Sequence, residues 1–551
     1  MITRRTLHIL IVAAVFVLLI AVAVSSSLYT TKKPHIEELS PGSANPDEII
    51  TIRGYGFGEG RQNGDVIIGN IRLTASHYMD WTSKEIRIKV PNGVSSGRVY
   101  VYTDRGRSNG VLFANKSQIP VILSGPVKPG YPYIESVNPE KAVVGEEIVI
   151  GGMNFGRRRG SGTVSFRFLA VDNTAASKTD AEAVQGEVTC SEIDFDYNLW
   201  SDQEIVVSVP DGAVSGSISV RTDRGKSNSV YFEVLNPVGT KRFEQKKGYQ
   251  IQQEVFVSNV GPSEGEHGVE IWVPKVYDGY AQRNMEILHD IEPLWGDFHG
   301  IMRYTIKPPK DWLEYSLSHT YWFDRYSIHT DVNPSAVRNA YDTEGKLYER
   351  YTSPELFIPS DNENIQSITR AVIGRTGNPY WKAKLIYDYL IKRLEYDPSI
   401  TYDDLSETLE ERRAGARDYG LLFTSMARSA GVPARPVSGY IVHGDKLTQK
   451  HIWAEFYIPE FGWMPVDPAL GDGAGIYDIQ VEDPVSFYFG NLENQHICFT
   501  RQVVEIPKVN PLSKTVVLED SYALLTSYEE YPADLEGYQS RWPDIKIVDW
   551  W

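Results

Sequence analysis

The spacing of hydrophobic positions changes along this chain, and each change predicts a different kind of element. The first stretch is continuous, since Ile9 to Val24 is unbroken apolar sequence. Arg4 and Arg5 precede it, and Ser25 to Ser27 with Lys32 and Lys33 follow. Extended from Leu7 to Leu28, it would make about 33 Å of helix at about 1.5 Å per residue, enough to cross a bilayer. Residues 1–33 are therefore expected to be a signal anchor, with a transmembrane helix over 7–28. A cleaved signal peptide, with Ala21-Val22-Ala23 as the A-x-A site, is the alternative reading. Both readings place the rest of the chain outside the cytoplasm, in the periplasm or at the cell surface. It is membrane-anchored in the first case and secreted in the second.

Beyond residue 34 the period drops to two. In Glu85-Ile86-Arg87-Ile88-Lys89-Val90 the apolar side chains Ile86, Ile88 and Val90 share one strand face. Pro-Asn-Gly then turns the chain. The same pattern returns once. Ile36–Gly58 matches Ile134–Gly156, the run from Trp81 matches that from Trp200, and the run from Val101 matches that from Val220. The second copy carries an insertion within residues 157–199, which includes Cys190. Strands at this spacing without helices predict two all-β, immunoglobulin-like sandwiches, over 34–118 and 132–237. The Pro- and Gly-dense residues 119–131 read as a linker. A β-rich region over 245–356 comes next. There Val255 and Val257, then Val269, Ile271 and Val273, alternate and predict a hairpin.

Steps of three and four residues then take over. Ala383, Ile386, Tyr387, Leu390 and Leu394 predict a helix between Pro379 and Pro398. Ala416, Tyr419, Leu422, Phe423 and Met426 predict a second, capped at Gly431 and stopped at Pro433. Two strands come after it. His451, Trp453, Glu455 and Tyr457 share one face of the first, and Trp463, Pro465 and Asp467 one face of the second. Residues 357–510 thus read as an α+β core. Residues 511–551 read as an acidic, aromatic tail that either docks on it or meets a partner.

Composition narrows the function. A chain of 551 residues needs several cores. A net charge of −17, with no basic stripe, argues against nucleic acid. Two cysteines provide no disulfide framework. The 11 histidines show no HExxH or similar spacing, so no metal and no other cofactor is expected.

Particular residues carry two resemblances. Both repeat copies read Ile-x-x-hydrophobic-x-Pro, Gly-x-x-Phe-Gly, Val-Pro and Gly, which resembles the IPT/TIG domain, a spacer or a binding surface in that family. Arg417-Asp418-Tyr419, Ala427 to Arg435, Gly439-Tyr440, His451 to Glu455, and Gly462 to Pro468 together resemble the transglutaminase-like core of papain-like fold. Tyr488 to His496 resembles that family's closing segment in bacteria. The resemblance implies a cysteine at the head of the central helix, activated by the helix N-terminus and served by a histidine and an aspartate. By position these partners are His451 and Asp467, but the cysteine position holds Ala416. Alanine has no lone pair with which to attack. Cys498, Thr424, Ser425 and Asp418 are poor substitutes, because the first is far along the chain, the next two lie too deep in the helix, and Asp418, two residues on, points to a different face. His451 and Asp467 are then either a vestigial dyad or simply a buried polar pair. Trp453, Trp463 and Tyr419 either line a groove or pack in the core.

Three functions are expected on this basis. The first is a non-catalytic protein that binds a protein or peptide, cell-wall peptide among the candidates, at the cell envelope. The second is a transglutaminase-like protease, amidase or acyltransferase with another nucleophile. The third is a structural adhesion or spacer protein.

Overall fold

The computed structural model describes residues 33–551 apart from 62–63, 70, 116–128, 173–181, 263–267, 308–310, 403, 478 and 519. The predicted anchor over 7–28 and most of the predicted linker lie outside the described residues. Among the described residues no helix is long and apolar enough to cross a membrane. The chain divides into two compact units, Met1–Leu123 and Ser124–Trp551.

The first unit is a β-sandwich. One sheet places His35–Ser40, Ile49–Tyr55, Glu85–Lys89 and Tyr78–Trp81 side by side. The facing sheet is built mainly from Val111–Asn115, Gly97–Thr103 and Asp65–Ile68. Alternation sets which side chains face inward. Ile86, Ile88 and Val90 are fully buried while Arg87 between them is exposed. The second copy repeats the design in detail. Trp81 donates its indole N–H to the Phe57 carbonyl at 3.0 Å, and Trp200 donates to the Phe155 carbonyl at 3.0 Å. Gly64 and Gly162 leave room for these indoles, since a Cβ on either would stand 2.7 Å from the ring.

The second module is continuous with the β-rich region after it. Its strand Thr163–Asp172 touches the strand Gly239–Val260, so the two share one sheet of 11 strands. The insertion forms the long antiparallel pairing of Thr163–Asp172 with Glu182–Thr189, and then the loop that carries Asp194 and Asp196.

The predicted hairpin of the β-rich region is not formed. Gly239–Val260 pairs instead with Leu313–Val332 along nearly its whole length. Val269–Pro274 sits in another sheet, between Ile301–Ile306 and Glu529–Tyr531, and is buried at every position. A strand covered on both faces belongs in the middle of a sheet, and alternation alone does not reveal its partner. The C-terminal segment is docked: Gln539–Arg541 and Lys546–Trp550 both add to the strand Gly239–Val260.

The core that positions the site is a four-stranded antiparallel sheet packed on helices. Gly462–Val466, Leu447–Ile458, Ala434–His443 and His496–Thr500 lie in that order. Helix Pro379–Arg393 starts with Pro379 behind the capping side chain of Asn378. The central helix, Ala416–Ser429, starts at Gly415 and is followed by Gly431 in the left-handed conformation, φ 71°. It is buried on nearly every side, so the predicted apolar stripe is only part of its packed surface. Two of its polar side chains are satisfied within the helix. The hydroxyls of Thr424 and Ser425 donate at 2.8 Å to the carbonyls of Gly420 and Leu421, one turn back.

Candidate functional site

The site forms where the head of the central helix meets the sheet. Gly420 allows the close approach, since a Cβ there would stand 2.8 Å from the Ile452 carbonyl oxygen. Ala416, one turn earlier, shares that helix face and is 7 % exposed. His451 precedes Ile452 and is 1 % exposed. Asp467 follows the strand Gly462–Val466 and is fully buried.

The polar groups form a relay. His451 Nε2 lies 2.6 Å from Asp467 Oδ2, and His496 Nε2 lies 2.9 Å from the same oxygen. The other carboxylate oxygen, Oδ1, accepts the Leu470 N–H at 2.9 Å. His496 Nδ1 is 2.6 Å from Glu493 Oε1, an ion-pair distance without the alignment of a directed hydrogen bond. Burial alone would raise the Asp467 pKa, but His451 and His496 outweigh it and hold that carboxyl well below the usual range. Burial likewise opposes a charge on His496, yet Glu493 and Asp467 overcome it and push its pKa up to about 9.

The sign of the His496 shift sets a pH test. A group whose pKa rises on folding adds stability below its unfolded value and loses it as pH climbs. Stability should therefore fall between about pH 6.5 and 9. His496→Gln should flatten this part of the profile, removing a contribution on the order of 3 kcal/mol. Urea unfolding at several pH values measures it.

Three donors converge here, on His451, Asp467 and His496. Their chemistry suits a divalent ion, but their spacing does not. Donors on one tetrahedral zinc ion stand about 3.3 Å apart, given bonds of about 2.0–2.1 Å. The separations of 2.6 and 2.9 Å are those of shared protons.

His451 Nδ1 is buried and has no hydrogen-bond partner. With Nε2 turned to Asp467, Nδ1 is the nitrogen left to serve a nucleophile. The resemblance puts Ala416 at the nucleophile position, and its side chain is only a methyl group. Cys498 shares the sheet face of His451 but stands two strands away, about 10 Å at about 4.8 Å per strand. Its sulfur faces the Thr500 carbonyl at 3.9 Å, and burial pushes its pKa up to about 12. Asp418 turns to the Tyr402 N–H at 3.3 Å, and burial raises its pKa to about 6.

The aromatic candidates are placed differently from a groove lining. Trp453 is buried, with its ring 6.1 Å from that of His451 at 28° and its edge against His496 at 4.8 Å. It therefore holds the two imidazoles in place. Tyr419 is buried, and its hydroxyl donates to Asp472 at 2.6 Å. Trp463 is buried under Tyr351 and Arg435, whose guanidinium lies 3.7 Å over the ring. Of the two readings of Trp453, Trp463 and Tyr419, groove lining or core, burial of all three favours the core. His496 and Glu493 were missed as members of the site. The available signal was a histidine three residues after a glutamate in the closing segment.

Beside the site lies a second cluster of charges. Glu455 Oε2 accepts from Arg435 at 2.9 Å and from Arg501 at 2.6 Å, and Arg435 also pairs with Asp194 of the inserted loop. The Tyr351 hydroxyl donates to the Ile193 carbonyl at 2.6 Å. Lys241 holds Asp211 at 2.6 Å and the Trp463 carbonyl at 2.6 Å. The second module is thus tied to the core through buried charges.

A central helix packed on an antiparallel sheet, with a buried histidine–aspartate pair beside it, is the arrangement of a transglutaminase-like core. Comparison with known families agrees. The model of the transglutaminase-like superfamily matches residues 366–468, and that of the IPT/TIG domain matches 34–115 and 132–234. The chain carries one transglutaminase-like core and two IPT/TIG domains. Among curated proteins it is similar to an uncharacterized protein of Haemophilus influenzae, at 27 % identity over 160 residues, 23 % of this chain and 43 % of that protein. It is also similar to a cyclomaltodextrin glucanotransferase of Paenibacillus macerans, at 30 % over 89 residues, 16 % of this chain and 12 % of that protein. The chain thus spans less than half the length of either relative. Among solved structures it is similar to a candidate cysteine protease from Cytophaga hutchinsonii, at 14 % identity, 57 % of this chain, 91 % of that one and a TM-score of 0.35. The periplasmic domain of TgpA from Pseudomonas aeruginosa is similar at 15 % identity, 42 % of this chain, 88 % of that one and a TM-score of 0.23.

Proposed function

We propose that this protein binds a protein or peptide at the cell envelope through a transglutaminase-like domain that has lost its chemistry. In this reading residues 7–28 anchor it in a membrane and the remainder lies outside the cytoplasm. One observation carries the reading: His451 Nδ1 has no partner, and the head of the central helix carries the methyl of Ala416. Covalent catalysis needs a thiol or hydroxyl within about 2.6–3.2 Å of the base, a distance that tightens in the complex. The alternatives for a nucleophile are each engaged elsewhere. Thr424 and Ser425 bond helix carbonyls, and Cys498 is a buried, protonated thiol.

The full-length protein incubated with a library of peptide amides and amine acceptors should give no hydrolysis and no transfer, while a subset is retained on the immobilised protein. Turnover that disappears in His451→Ala would overturn the reading. Retention lost in Ala416→Trp, which fills the helix head, would place the bound peptide in this cleft.

A further inference from the structure

We propose that the outer face of the large sheet carries a binding site for an organic cation, a lysine or arginine side chain of a partner, between Trp322 and Trp551. A dish of about 400 Å³ opens there, lined by both tryptophans together with Asn284, Glu286 and Asp324. It lies away from the relay, on the sheet that joins Lys546–Trp550, Gly239–Val260, Leu313–Val332 and Gln282–His289.

The floor of the dish is built to take an indole. Trp551 exchanges backbone hydrogen bonds with Gly248, at 2.8 and 3.0 Å. A Cβ on Gly248 would stand 2.1 Å from Trp551 Cε2, so glycine lets the ring lie flat on the strand. One ring face is thereby covered and the other is open, and Trp551 is 58 % exposed. Across the sheet, Gly248 pairs with Asp324, and Trp322 pairs with Glu286, which sets all four on one face. The strand Gln282–His289 breaks register between Arg283 and Glu286, with Asn284 at φ 57°. This bulge turns the Asn284 amide onto Asp324 at 2.8 Å.

Charge selects the ligand. Asp324 is engaged by Asn284 and stands 3.6 Å from Lys246. Glu286 is exposed at the rim, and its carboxylate is the charge free to meet a ligand. Open indole faces beside a carboxylate attract ammonium and guanidinium groups through the ring quadrupole. The net charge of −17 adds a long-range pull on the same kind of ligand. The protein already uses this chemistry next door, where Lys247 Nζ lies 3.6 Å over the Trp550 ring.

The test uses the full-length protein with 5-fluorotryptophan incorporated, and follows the fluorine resonances of Trp322 and Trp551, assigned with Trp322→Phe and Trp551→Phe. The probes are N-acetyl-arginine methylamide, its uncharged citrulline counterpart, and a cello-oligosaccharide. The arginine probe should shift both resonances saturably, the citrulline probe should not, and added salt should weaken the effect. Glu286→Gln and Gly248→Ala should each weaken binding by about three- to tenfold, the second by lifting an indole without removing it. Equal response to citrulline, response to the oligosaccharide alone, or no saturable shift with the arginine probe would each overturn the proposal.

Discussion

Ala416→Cys should produce a thiol that reacts with iodoacetamide at pH 6 about ten times faster than an unperturbed cysteine. Free cysteine has a pKa of about 8.5, and thiols at helix N-termini beside histidine fall to about 3.5–7.5. A pKa near 6.5 would raise the thiolate fraction at pH 6 roughly eightyfold, and the lower intrinsic nucleophilicity of such a thiolate takes back most of one order of magnitude. The physical basis is in place. Gly415 leaves the first N–H groups of the central helix uncapped by any side chain, and the unpartnered Nδ1 of His451 is held by the Asp467 bond. The pH dependence of alkylation, compared between Ala416→Cys and the double variant with His451→Ala, measures both contributions. A pKa near that of free cysteine in the single variant would show that helix and imidazole do not act on this position. Cys498 serves as an internal control, since a buried thiol with a pKa near 12 should stay unmodified until the protein unfolds.

The second large effect is on stability. Glu455→Gln should destabilise the larger unit by about 3–5 kcal/mol, the usual cost of removing one member of a buried ion pair. The substitution keeps the shape and removes only the charge, so no cavity term enters. Arg435 and Arg501 lose their shared carboxylate, and both are buried. Burial opposes the charge on Glu455, but Arg501 and Arg435 outweigh it and lower its pKa to about 2. A carboxylate whose pKa falls on folding contributes stability above its unfolded value, about 4.5, and loses it as pH falls toward 2. The wild-type protein should therefore lose stability across that window more steeply than Glu455→Gln. Calorimetry of the larger unit between pH 2 and 6 checks both the offset at neutral pH and the difference in slope. An offset below about 1 kcal/mol would mean that the cluster is wet and screened.

Much of this architecture could be read from periodicity, and the exceptions share a cause. Alternation correctly placed Ile86, Ile88 and Val90 inside the first sandwich, because a half-buried strand encodes its faces. Helical spacing and stop signals located the central helix to its last turn, since Gly431 is required by a left-handed backbone. The predicted pairing of Val255 and Val257 with Val269 to Val273 failed for a different reason. Alternation fixes which way a side chain points and says nothing about which strand lies alongside. The same limit hid His496 and Glu493. Their roles depend on the closing strand reaching the opposite side of Ala434–His443 from the strand of His451. The sequence left Trp463 open between groove and core because its cover comes from chain elements far away in sequence, as the guanidinium of Arg435 and the ring of Tyr351 show.

The insertion in the second module bears on how this protein can be taken apart. Asp194 and Ile193 come from that loop, and they meet Arg435 and Tyr351 of the core. A gene fragment cut at the start of the matched superfamily, residue 366, would leave the cations of Arg435 and Arg501 behind without Asp194 and without the Tyr277 and Tyr280 hydroxyls. Such a fragment should be made as insoluble chain. The stretch that ancestry marks out and the stretch expected to melt as one body are different lengths of the same polypeptide, and the shortest autonomous version of the core should begin ahead of its second immunoglobulin-like neighbour.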